Sequence, residues 1–241
     1  MPPLLTAFLR RPAALAAAVA TAAAATAAAG CGAGAGGEPV SAGSAAPAAA
    51  PSPLWPSRSP AAVPTAEEQG KVPSTAVPGF RGVPSENIRE VDPLAVIKAE
   101  LAAHPGEATG ADGMDATTAR RLAACSGRGP GCPLLAPVHR DITGNGKDDL
   151  ILGFEMEDGL LGLRCYTFVR GVLTRVMATV VRPTTVEVAG GDLIVWEPSP
   201  TPNYAIRSVY SWDAHRDYME LQSDEIRRTD ASGRPTTPAR R

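Results

Sequence analysis

From residue 149 onward the chain breaks into short runs rich in Val, Ile, Leu, Thr and aromatic residues, separated by Gly, Pro, Asp or Asn. Runs of this length and composition predict β-strands, here Asp149 to Phe154, Leu163 to Val169, Val172 to Val181, Thr184 to Val188, Asp192 to Glu197, Ala205 to Trp212 and Tyr218 to Gln222. Two of them place aromatics two residues apart before a polar turn: Tyr166 and Phe168, then Tyr210 and Trp212. That spacing puts each pair on one strand face, as core packing requires. Upstream the period changes. Asp92 stands where an N-cap belongs, Pro93 takes the first helical position, and Leu94, Ile97 and Leu101 share a face, which predicts a short helix ending before Pro105. A weaker helical pattern runs from Asp115 to Ala124, with Leu122 as its main apolar contact. The predicted fold is mainly β in an α+β arrangement: a small antiparallel meander with one or two short helices ahead of it.

The flanks read differently. Arg10 and Arg11 are followed by a stretch from Ala13 to Ala29 in which 13 of 17 residues are Ala, and then by Gly30 and Cys31. A basic start, an apolar segment and small residues at its end are the plan of an export signal. Residues 32–85 contain 12 Ala, 10 Pro, 8 Gly and 7 Ser without a sustained period, and so read as a tether. Trp55 and Phe80 fall inside it, expected exposed or transiently docked. Residues 229–241, with Gly233, Pro235 and Pro238, read as an unstructured basic tail. The expected organisation is therefore a signal over 1–30, the tether over 31–85, one globular domain over 86–228, and the tail.

The placement of Cys31 directly after Ala28-Ala29-Gly30 resembles the lipobox of bacterial lipoproteins, although Ala28 stands where that pattern prefers Leu. The resemblance implies that Cys31 is diacylated and becomes the mature N-terminus, since two acyl chains provide stable anchoring in lipid. An ordinary secretory signal followed by an unrelated cysteine is the alternative.

Between helices and strands lies the most specific motif, Asp141-Ile142-Thr143-Gly144-Asn145-Gly146-Lys147-Asp148-Asp149-Leu150. Oxygen ligands at relative positions 1, 3, 5 and 9, a carbonyl at 7 and a Gly at 6 are the spacing by which a short loop wraps a hard cation. Those positions are Asp141, Thr143, Asn145, Asp149, Lys147 and Gly146. The run from His139 to Leu152 resembles the loop of FG-GAP and VCBS-type β repeats, which precedes a strand. The reading favoured here is a Gly-rich turn in which Asp141 and Asn145 bond local backbone. The alternative is calcium as a weakly bound cofactor, weak because only Asp141 and Asp149 are carboxylates and position 12 is Leu152.

Of the remaining cysteines, Cys125 and Cys132 are separated by a flexible six-residue stretch that favours a disulfide between them, leaving Cys165 buried in a strand. His104, His139 and His215 fall in no metalloprotease spacing, and the chain has no GxSxG elbow or phosphate loop. Glu155 and Glu157 read as one solvated strand face. No catalytic role is expected. Without residues 1–30 the chain carries 21 Lys plus Arg against 25 Asp plus Glu, which argues against a nucleic-acid partner.

Taken with Cys132-Pro133, Leu163-Arg164-Cys165-Tyr166, Met177-Ala178-Thr179, Val186 to Gly190 and Tyr210-Ser211-Trp212-Asp213, the chain is similar to uncharacterised actinobacterial lipoproteins of the Streptomyces type. More distantly it is similar to the accessory lipoproteins of envelope-stress signalling operons. Those resemblances imply a non-enzymatic protein on the outer face of the plasma membrane, with membrane lipid and another envelope protein as partners. A wall- or ligand-binding module and, further off, a secreted hydrolase are the other classes.

Overall fold

A computed structural model describes residues 49–59, 74–80, 83–103, 114–127 and 129–230. Among the described residues ten strands form two antiparallel sheets. Sheet A has the order β1 (Ser52–Pro53), β7 (Thr185–Ala189), β8 (Asp192–Pro198), β9 (Tyr204–Asp213), β10 (Tyr218–Arg228). Sheet B has the order β2 (Thr75–Ala76), β6 (Val172–Val181), β5 (Leu161–Val169), β4 (Asp149–Glu155), β3 (Val138–Arg140). The main strands follow one another as hairpins, which makes each sheet a meander. Two-residue turns at Arg170-Gly171 and Gly190-Gly191 adopt positive φ throughout, the backbone twist that closes a tight hairpin.

Alternation along β4 to β6 builds two apolar layers. Ile151, Leu163, Cys165, Met177 and Val181 pack with Val186, Leu193, Val195 and Met219 of sheet A. Leu150, Leu152, Phe154, Tyr166 and Leu173 pack with Val96, Ile97 and Leu122 of the helices α1 (Pro93–Ala103) and α2 (Ala116–Ala124). Sheet B is thus the middle of three layers. Gly162 is required there: a Cβ on it would stand 2.1 Å from the Phe154 ring.

Both helices begin as their sequence dictates. Leu94 N–H donates to the Asp92 carboxylate at 3.0 Å, and Thr118 N–H to that of Asp115 at 2.8 Å. The apolar face of α1 is broader than the spacing of Leu94, Ile97 and Leu101 implies: Val96 is fully buried while Leu94 and Leu101 are half-buried, because the helix packs on sheet B and α2 together. Glu100 fixes its seat, accepting from Tyr166 Oη at 2.8 Å and pairing with Arg175 at 3.1 Å.

Two sequence expectations are corrected. Residues 31–85 are not tether throughout, since Ser52 pairs with Val188 and Thr75 with Arg175 as edge strands. Trp55 is docked: its Nε1–H donates to Ala136 O at 2.9 Å, and its ring lies 2.7 Å from where a Cβ on Gly153 would stand. Arg58 donates to Gly159 O at 2.6 Å and pairs with Glu155 at 3.0 Å. The cause is local: two-residue strands leave no period to read, and Pro53 is tolerated because the strand is an edge. The second correction concerns β10, which continues past Gln222 to Arg228, with Thr229 N–H donating to Asn203 O at 2.8 Å. A bulge between Leu221 and Ser223 shifts the alternation there and hides the second half of the strand. Residues 1–48, 60–73 and 231–241, and with them Cys31 and the export signal, lie outside the described residues, as does His104.

Candidate functional site

The loop from Asp141 to Asp148 joins β3 to β4 at one end of sheet B. Its geometry follows from two carboxylates. Asp141 accepts the N–H groups of Gly144 (2.7 Å), Asn145 (3.2 Å) and Gly146 (2.9 Å), using both oxygens. Asn145 Oδ1 accepts Lys147 N–H at 2.7 Å. Asp149, fully buried at the start of β4, accepts Ile142 and Thr143 N–H through Oδ2, each at 2.9 Å. Burial pushes the Asp149 carboxyl above the usual carboxylate range, opposed by the Thr167 hydroxyl and the two backbone donors.

Two ion pairs tie the loop to the chain just before α1. Lys147 Nζ meets Glu86 at 2.8 Å, and Arg89 Nε meets Asp148 at 2.6 Å. A depression of about 150 Å³ lies alongside, lined by Glu86, Asn145, Lys147, Asp148, Thr167 and Phe168. That is well below the ~300–1,000 Å³ of ordinary small-molecule sites. Beside it His139 is held below its ordinary imidazole range, by burial first and then by Arg89, with Asp148 opposing.

Chemically, the loop is occupied with itself. A calcium ion takes about six to eight oxygens. Of the side chains at the ligand positions, Asp141, Asn145 and one oxygen of Asp149 are already committed to backbone N–H groups. Only Asp149 Oδ1 and Thr143 Oγ1 are buried without a hydrogen bond. Lys147 contributes an ion pair to Glu86. Among the described residues no three His, Cys, Asp or Glu side chains come close enough to hold a metal. As placed, these side chains cap their own turn. The residues that close the loop from outside, Glu86, Arg89 and Thr167, carry no local sequence signal that links them to it.

The chain matches no family model, no curated protein and no solved structure. The disulfide is where the spacing of the cysteines put it: Cys125 and Cys132 are bonded, with Cα atoms 5.4 Å apart, just after α2. Cys165 is free and buried, its thiol pushed far up by desolvation, so it is a core residue without nucleophilic character. Glu155 pairs with Arg58, and Glu157 lies in a one-turn 3-10 helix, Glu157–Gly159, beyond the strand, so the two do not share a strand face. His139 Nε2 is buried without a hydrogen-bond partner. His215 lies in the turn before β10, with its backbone N–H on Asp213. No described helix is long and apolar enough to cross a membrane.

Proposed function

We propose that this protein is an exported lipoprotein, held at the outer face of the plasma membrane through an acylated Cys31, whose β domain engages another component of the cell envelope without catalysis. The observation that carries the reading is Cys31 itself, placed directly after Ala28-Ala29-Gly30 at the end of an Ala-rich segment. The Cys125–Cys132 disulfide supports it, because such bonds persist in oxidising compartments outside the cytoplasm. The non-catalytic part is supported by the site chemistry. The His139 Nε2 is not paired to a carboxylate or hydroxyl, the free thiol is buried, and the loop carboxylates accept backbone hydrogens.

The test is fractionation of cells producing the wild-type chain or Cys31→Ser, followed by crosslinking in living cells and mass spectrometry of what co-purifies. The expected outcome is a wild-type protein in the membrane fraction, a variant released from it, and capture of an envelope protein that depends on Cys31. Membrane association that survives Cys31→Ser overturns the anchor. Capture of wall material alone, equal in both proteins, replaces the envelope-protein partner with a wall-binding role.

A further inference from the structure

The chain contains three asparagines, Asn87, Asn145 and Asn203, and only Asn145 is followed by glycine. A glycine carries no side chain to shield its peptide nitrogen, so that nitrogen can approach the amide of the side chain before it. Asn145 and Gly146 are both exposed, and a Cβ on Gly146, whose φ is +80°, would meet no atom of the described residues within 4 Å.

Hydrogen bonds converge on this dipeptide. Asn145 Oδ1 accepts Lys147 N–H at 2.7 Å. That bond closes a ring containing both the side-chain carbonyl of Asn145 and the nitrogen of Gly146, so attacker and target are tethered together. It also sets a donor on the oxygen that takes up charge when the carbonyl is attacked. Gly146 N–H in turn donates to Asp141 Oδ2 at 2.9 Å, which places a carboxylate on the proton that must leave the nucleophile. Asn145 N–H donates to the other oxygen of Asp141 at 3.2 Å and keeps that carboxylate over the dipeptide.

We propose that Asn145 is a site of self-modification: Gly146 N closes on Asn145 Cγ with Asp141 as the base, and water opens the resulting succinimide to aspartate or isoaspartate. The Gly146 N–Cγ bond forms as the Gly146 proton passes to Asp141. The tetrahedral centre then collapses, the Cγ–Nδ2 bond breaks, and Asp141 returns the proton to the departing nitrogen, which leaves as ammonia. One water adds across either carbonyl of the imide. The event occurs once per chain, so it stands apart from both the lipid anchor and the non-enzymatic reading. Asn87 supplies the contrast. It makes the same kind of turn, its Oδ1 accepting Arg89 N–H at 3.1 Å, but the next residue is the buried, β-branched Ile88, whose side chain crowds the nitrogen. The open glycine and the carboxylate on its N–H, rather than the turn alone, mark Asn145 out. The product adds a negative charge to a loop held by the Lys147–Glu86 and Arg89–Asp148 pairs, and its isoaspartate form lengthens the backbone there.

The test is made on the full chain, incubated at neutral pH and followed over time by peptide mass spectrometry that separates aspartate from isoaspartate. Conversion at Asn145 should exceed that at Asn87 and Asn203 in the same digest by about tenfold or more. It should also be faster in the folded chain than in the same chain unfolded in denaturant at the same pH, because folding supplies the base and the donor. Asp141→Asn should slow the folded chain by about tenfold or more, with thermal unfolding showing that the variant is folded. That sign separates a base from a scaffold, since a loop merely loosened by the loss of Asp141 would convert faster. Equal conversion at the three asparagines, a folded rate at or below the unfolded one, or a folded Asp141→Asn chain that converts as fast as wild type each overturns the inference. The folded-against-unfolded comparison uses no variant, so it decides the matter if Asp141→Asn does not fold.

Discussion

Sheet B carries apolar groups on both faces, Leu152 and Phe154 toward the helices and Ile151, Leu163 and Cys165 toward the other sheet. Sheet A gives one face to that core, and on its other face holds a smaller buried cluster of Ile194, Trp196, Ala205 and Val209 among the charged Glu187, Arg207 and Glu225. The same motif shows the difference. In sheet B the Arg164 guanidinium lies 5.1 Å from the centroid of Phe154 with both side chains buried, and it also donates to Leu163 O and Thr179 O. In sheet A Arg207 lies 5.8 Å from Trp196 on the face turned away from the sandwich. A cation over a ring is worth more where water is excluded. Among the described residues the cluster on sheet A's outer face is four buried residues, against the fourteen that sheet B shares with the helices and the segments beside them, so more of the stability is expected to rest on sheet B.

The largest expected effect follows directly. Phe154→Ala removes a fully buried ring that fills the space over Gly162 and supports Arg164, and should cost about 3–5 kcal/mol in denaturant unfolding. Arg207→Ala removes the corresponding cation from sheet A and should cost about 1 kcal/mol or less. Equal losses would break the comparison between the sheets.

The helical layer on sheet B has its own fastener. Replacing Cys125 and Cys132 together with Ser opens a loop whose closure removes roughly 2.5 kcal/mol of unfolded-state entropy. Reductant should lower the wild-type unfolding midpoint to that of the double variant and leave the variant unchanged. If reductant has no effect on the wild type, the helices are held by packing alone, with Leu122, Val96 and the Glu100–Arg175 pair sufficient.

Much of this architecture was legible in the chain because both sheets alternate plainly. The expected strands from Asp149 to Tyr218 all form, most within a residue or two of their expected ends. Asp92 and Asp115 announced their helices because capping is a local interaction. What was not legible depended on distant or irregular pairing. Gln222, unpaired at the bulge, masked the half of β10 that carries Ile226. Ser52 and Thr75 become strands only because β7 and β6 offer edges. The Asp141 loop was readable as a turn or a cation site from its spacing alone, and the hydrogen bonds that cap the turn show only in where the N–H groups point. Glu86, 61 residues from Lys147, closes the loop through a contact no spacing encodes.

The smallest effect probes the charge that sheet B buries, Asp149. Asn at this position keeps an acceptor for Ile142 and Thr143 N–H, and its amide faces the Thr143 and Thr167 hydroxyls, which can turn to accept from it. Asp149→Asn should therefore cost less than about 1 kcal/mol at neutral pH, since replacing a desolvated charge by a bonded neutral group is nearly balanced. The pH dependence is more telling. Because the folded state raises the Asp149 pKa, it holds that proton more tightly than the unfolded chain does. Wild-type stability contributed by this group is thus highest at acid pH and falls as pH rises from the ordinary aspartate range through the raised folded value. The variant lacks this decline, so its stability relative to wild type should improve across that window. Denaturant unfolding of both proteins at intervals from pH 4 to 8 reads the difference. A gap that stays constant would mean that Asp149 is as well solvated as a carboxylate on sheet A, and the contrast between the sheets would not extend to their charges.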